Sequence, residues 1–218
     1  MSVLVTGAGV IGSLTAALLA GAGAKVVLAD VRTGEAPAAG IARIVLDVSD
    51  FSALERVIAE HGVTRIIHTA AMLSTGIRRS PLDGYRVNTL GAAHVLEAAR
   101  RHGLGRVVLA SSATVGYPVF GSHGPQPIEE DFSMRVHGER PTSIYAATKL
   151  ANEHLGLIYA DLYGVDCLFL RYGAVIGGPL DAPTSVPGRL VAVLAEAART
   201  GAGRLDDPIL AWGGREEF

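Results

Sequence analysis

Lysine is nearly missing from this 218-residue sequence, where only Lys25 and Lys149 occur among 19 basic residues. The formal charge of -2 leaves no basic footprint, so nucleic acid is a poor default partner. A single cysteine, Cys167, excludes an intrachain disulfide and points to a reducing compartment. It stands in an apolar run and reads as a buried small residue. The seven histidines (61, 68, 94, 102, 123, 137 and 154) show no metal-ligand spacing, so no metal is expected. Residues 10–29 are apolar with few interruptions, yet no positive stretch precedes them. Glycines at 7, 9, 12, 21 and 23 divide that run into strand, turn, helix and turn, which argues against a signal peptide or membrane span and for a cytoplasmic protein.

What is present fits one soluble globular domain: 49% of residues are hydrophobic and 18% charged. Residues 2–6 form a short β-branched run entering Gly7-Ala8-Gly9-Val10-Ile11-Gly12, followed by an alanine- and leucine-rich helical stretch. Gly-x-Gly-x-x-Gly between strand and helix is a dinucleotide fingerprint: it allows a tight turn, close approach of a pyrophosphate, and close packing of helix on sheet. The next strand, 25–29, ends at Asp30, whose carboxylate can accept both ribose hydroxyls of NAD and would repel the 2′-phosphate of NADP. Arg32 nearby softens that preference. NAD is therefore expected, with NADP less favoured.

Further strands are expected at 41–46, 64–68, 106–109 and 165–170. Helices are expected from a Ser52–Glu55 capping box to Gly62, from Ser80-Pro81 to Arg101, over 143–163, and over 186–200. This alternation implies an α/β fold with a doubly wound parallel sheet. His68, at a strand end, reads as a hydrogen-bonded structural histidine. The strand at 106–109 delivers Ser111 and Ser112 to the edge where open α/β sheets bind ligands. The loop 116–142, rich in Gly and Pro, has the length of a lid or binding wall.

Tyr145 and Lys149 stand four apart in a helix-forming run, so both side chains emerge on one face. A cation beside a phenol favours the phenolate and makes a base. Such a pair arises by chance in about one chain of this composition in twenty, so its weight comes from its company.

Taken in order, Thr6–Gly12, Asp30, Asp47-Val48, His68-Thr-Ala-Ala71, Asn88, Ser111–Val115, Tyr145-Ala-Ala-Thr-Lys149 with Glu153, and Leu170-Arg-Tyr172 resemble the extended short-chain dehydrogenase/reductases. The resemblance is to their NAD-dependent epimerase/dehydratase branch, which includes UDP-glucose 4-epimerase-like enzymes, and it runs from Val3 to about Pro179. It implies a Rossmann-type NAD-binding domain over 1–175 and, over 176–218, the start of a partial, apparently truncated substrate-binding region. By this resemblance Ser112 hydrogen-bonds the substrate oxygen, Tyr145 is the acid/base, and Lys149 holds the nicotinamide ribose and activates the tyrosine. Gly7, Gly9, Ile11 and Gly12 would line the pyrophosphate and ribose, Asp30 the adenosine ribose, Asp47 and Val48 the adenine, and Ala70 and Ala71 the middle of the cofactor. Asn88 would sit near the catalytic helix.

The chain departs from the family in having a glycine loop one residue shorter than Gly-x-x-Gly-x-x-Gly. It also has Val115-Gly116-Tyr117 where Val-Tyr-Gly is usual. The implied function is epimerase, dehydratase or dehydrogenase chemistry on a small molecule, a sugar or nucleotide-sugar, in a homodimer formed through helices around 86–101 and 144–163. The alternatives are an NADP-dependent reductase of a small carbonyl compound and a non-catalytic cofactor sensor.

Overall fold

Ser2–Thr6 form strand β1, and all five residues are buried, as expected of a strand covered on both faces of a parallel sheet. It pairs in parallel with β2 (Lys25–Asp30) on one side and β4 (Arg65–His68) on the other. Strands β3 (Ile41–Val45), β5 (Val107–Ser112) and β6 (Cys167–Tyr172) complete the order β3-β2-β1-β4-β5-β6. This is the doubly wound order of a Rossmann-type sheet, and winding reverses between β1 and β4, where a crevice opens beyond the strand ends. The structure is a computed structural model describing residues 1–116, 143–173, 175 and 186–203. The expected loop 116–142 from its second residue on, and the segments 176–185 and 204–218 of the expected substrate-binding region, lie outside the described residues.

Helices fill the crossovers except the one from β2 to β3. Helix α1 (Val10–Gly21) follows β1, and α2 (Phe51–His61) follows β3. Between β4 and β5 come α3 (Ser74–Arg79), α4 (Pro81–Tyr85), a π-helical turn (Arg86–Leu90) and α5 (Gly91–His102). Helix α6 (Ile144–Tyr163) precedes β6, and α7 (Val186–Thr200) lies beyond it. One face of the sheet presents Leu4, Val27, Ile66 and Leu109 to Leu54 and Ile58 of α2 and to Val95 and Leu96 of α5. The other presents Val3, Val5, Val26 and Leu28 to Ala16 of α1. Each such side chain, fully buried, stabilises the fold by about 1.5–3 kcal/mol before entropy is counted.

Contacts divide the chain into two units, 1–115 with 143–171 and 116–142 with 172–218. Within the second, α7 carries an exposed Glu196–Arg199 ion pair of 2.7 Å. Among the described residues no helix is long and apolar enough to cross a membrane.

Three expectations are corrected. The cap of α2 is Asp50, which accepts from the Ala53 N–H at 3.0 Å, not Ser52, which sits one residue inside the helix. A carboxylate placed before the first turn meets the free N–H groups and the positive end of the helix dipole, so it displaces the serine as cap. The helix expected from Ser80 runs without a break to His102, but a π-helical turn at Arg86–Leu90 interrupts its regular α pattern, and Asn88 in that turn bonds sideways to the backbone of Met72. An additional short helix, α3, occupies residues where Gly76 weakens any helical pattern.

Helix α6 lies very close to β6 at Gly156, where a Cβ would come within 2.3 Å of the Phe169 ring. Gly156→Ala is expected to lower unfolding free energy by about 1–3 kcal/mol through this overpacking. Phe169→Leu combined with it should recover part of the loss in urea denaturation.

Candidate active site

The glycine loop between β1 and α1 is shaped by close backbone contacts. Gly7 has φ +88°, and a Cβ there would lie 2.6 Å from the Ala70 nitrogen. A Cβ on Gly12 would strike the Gly7 carbonyl oxygen at 1.8 Å, so the loop and the Thr69–Ala71 segment can pack this tightly only without side chains. Gly9 faces open space, with nothing within 4 Å of its would-be Cβ. It caps α1 with no side-chain hydrogen bond, which leaves the first amides of that helix available to an anion. An open cradle ending in unsatisfied helix N–H groups fits the pyrophosphate of a dinucleotide, and Ile11 lies in the first turn beside it.

Asp30 ends β2. One of its oxygens accepts from Ala8 N at 2.8 Å, and the other accepts from Arg32 N at 3.0 Å and Arg32 Nε at 3.3 Å. Burial works to raise its pKa, but these donors outweigh it and hold the carboxyl below the ordinary range. Beside it lies a cleft of about 280 Å³ lined by Ala8, Ser13, Arg32, Thr33, Gly34, Glu35 and Arg43. Asp47, just past β3, accepts from Ser49 N and Oγ at 2.9 and 2.7 Å; these bonds lower its pKa against the opposing effect of burial. Val48 is buried. Its carbonyl accepts from His94 Nδ1 at 3.0 Å, and a Cβ on Gly91 would press its methyl at 2.7 Å, so it also anchors α5.

Asn88, 1% exposed, lies in the π turn and secures the segment following Ala70 and Ala71. Its Oδ1 accepts from Met72 N at 2.7 Å and its Nδ2 donates to Met72 O at 3.0 Å. Its own carbonyl accepts from Asn152 Nδ2 of α6 at 2.9 Å. The expected proximity to the tyrosine helix is therefore a direct bond. His68 is buried with Nδ1 2.7 Å from Thr6 Oγ1, the structural role expected of it. Burial and then the charge of Lys149 push its pKa down to about 3, so it is neutral.

Ser143 caps α6 by accepting from Ala146 N at 3.1 Å. On that helix the Lys149 ammonium lies 5.6 Å from the centre of the Tyr145 ring. Lys149 is 3% exposed, and its Nζ donates to the Ala110 carbonyl of β5 at 2.7 Å. Two residues further, Ser112 ends β5 with its Oγ accepting from Thr114 N at 3.3 Å. The lysine thus ties the tyrosine helix to the strand that carries the serine. Burial lowers the lysine pKa to about 8. The sequence pattern held no sign of the Ala110 tie. Nor did it assign a role to Ser111, Glu153 and Arg171, which form a hydrogen-bonded cluster next to it.

A sequence model of the NAD-dependent epimerase/dehydratase family matches residues 3–217. The chain belongs to this family. UDP-glucose 4-epimerase of Corynebacterium glutamicum is 35% identical over 182 residues, covering 81% of this chain and 52% of that protein. A UDP-glucose 4-epimerase of Thermus thermophilus, solved in complex with NAD, superposes with a TM-score of 0.73 at 34% identity, covering 92% of this chain and 63% of that one. A holo L-threonine dehydrogenase of Cupriavidus necator superposes with a TM-score of 0.77 at 29% identity and the same coverage. The chain therefore spans about half to two thirds of the length of these relatives.

A charged lysine buried to this degree costs stability. Its folded pKa, about 8, lies below the ordinary 10.5. The folded state therefore gains stability as pH rises from about 8 to 10.5, and pays the full penalty below 8, at most about 3 kcal/mol. Lys149→Met is expected to be more stable than wild type at pH 7, with the advantage fading by pH 10.5. Denaturant titrations across that range would measure it.

Proposed function

We propose that this protein performs NAD-dependent oxidoreductase-type chemistry, as in an epimerase, dehydratase or dehydrogenase, on a hydroxyl or ketone of a sugar-nucleotide-like substrate. The observation that carries this reading is the buried Lys149 ammonium, held by Ala110 O beside the Tyr145 ring. Tyr145 takes or returns the hydroxyl proton, Lys149 favours the phenolate and holds the nicotinamide ribose, and Ser112 hydrogen-bonds the reacting oxygen. NAD, when bound, supplies the hydride acceptor. Gly7, Gly9, Ile11 and Gly12 take its phosphates and neighbouring ribose. Asp30 takes the adenosine ribose, Asp47 and Val48 the adenine, and Ala70 and Ala71 its middle. Asn88 keeps the Ala70–Met72 backbone in place. The UDP-glucose 4-epimerases among its relatives support a nucleotide-sugar.

The likeness to an L-threonine dehydrogenase favours a second reading, oxidation of a small hydroxy compound. The two differ in product: the first allows the hydride to return to the substrate, and the second accumulates reduced cofactor. A cytoplasmic homodimer belongs to the same proposal. Exposed Leu157, Ile158 and Leu162 on α6 support a pairing face, which sedimentation at high concentration would test.

Tyr145→Phe removes only the hydroxyl. It is expected to lower turnover of UDP-glucose about 10²–10⁴-fold, while NAD still raises the unfolding midpoint. Undiminished turnover by the variant would refute the assignment.

A further inference from the structure

Next to the lysine tie lies a second one. The Glu153 carboxylate, 6% exposed, accepts from the Ser111 hydroxyl. Arg171 grips the same carboxylate from β6 with two nitrogens, Nη2 to Oε2 at 2.7 Å and Nε to Oε1 at 3.0 Å. Ser111 lies between Ala110, whose carbonyl accepts from Lys149, and Ser112. Lys149 and Glu153 are four residues apart, so they share a face of α6. A bare carboxylate at that spacing would bind the ammonium and draw it from Ala110 and Tyr145; a bidentate guanidinium holds the carboxylate away in a fixed plane.

We propose that Glu153 and Arg171 are positioning residues, a charge-matched clamp that fixes Ser111, and with it the β5 end carrying the Lys149 tie and Ser112, while leaving the ammonium without a counter-ion among the described residues. The catalytic meaning of this clamp rests on the proposed function. Among the described residues, the charged or titratable groups around the lysine are Tyr145 and Glu153 on its own helix, His68 on β4, and Arg171 on β6 behind Glu153. The end of β5 brings only serines. Burial is the cause of the lowered lysine pKa, as expected when the carboxylate is already matched.

With two lysines in the chain, lysine-selective 13C labelling gives two side-chain signals, and Lys25→Arg assigns them. Glu153→Gln removes one negative charge from beside Lys149, whose pKa should fall by about one pH unit; Arg171→Gln removes one positive charge from the clamp and should raise it by about as much. A merely structural tie would loosen in both variants and let water in, so both would rise toward the ordinary lysine value; that result, or no change in either, overturns the proposal. Should Arg171→Gln fail to fold, Glu153→Gln decides alone: a fall supports the clamp, and a rise or no change overturns it. Turnover by Glu153→Gln should drop about tenfold with NAD affinity unchanged. If wild type turns over no nucleotide-sugar or small hydroxy compound, the functional reading fails while the lysine signals still decide the clamp.

Discussion

The site depends on one costly contact, the burial of the Lys149 ammonium against a backbone carbonyl, Ala110 O. Nothing in helix propensity or core packing calls for it, since an apolar side chain would fill the same place without desolvating a charge. Its position explains what surrounds it. The Ser143 cap starts α6 shortly before it, the π turn sets Asn88 beside that helix where its carbonyl accepts from Asn152, and β5 runs on to Ser112. A strained or costly group held by a well-packed frame is characteristic of sites where chemistry, not stability, sets the residue.

The second constraint is closeness of backbone. Gly7 against Ala70, Gly12 against Gly7 and Gly156 against Phe169 each leave no room for a Cβ. The first two bring the glycine loop against the end of β4 at the point where the sheet reverses. The third sets α6 close on β6, so that Glu153 and Arg171 can reach one another. Loop and helix thus bring the glycine turn and the Tyr145–Lys149 pair to the same end of one sheet, the placement on which the proposed chemistry rests.

Much of this was legible in the sequence because short-range rules sufficed. Apolar runs with glycine boundaries located all six strands, and the spacing of Gly7, Gly9 and Gly12 before a helix identified the loop. The four-residue step from Tyr145 to Lys149 placed both on one face. What stayed hidden depended on partners distant in the chain: Asn88 with Met72, Lys149 with Ala110, and Glu153 with Ser111 and Arg171. The first of these lies in the π turn, so helical periodicity over 81–102 shows the helix but not the π turn inside it. Asp50 is hidden as a cap because Ser52 and Glu55 match the capping-box spacing two residues later.

The most direct test is the pH dependence of NAD reduction in a single turnover of the full chain with its substrate. The rate should fall at low pH as the base is protonated, and fall again above about 8 as Lys149 loses its charge. A rate that stays level from about pH 7 to 10 would contradict the central role given to the buried ammonium.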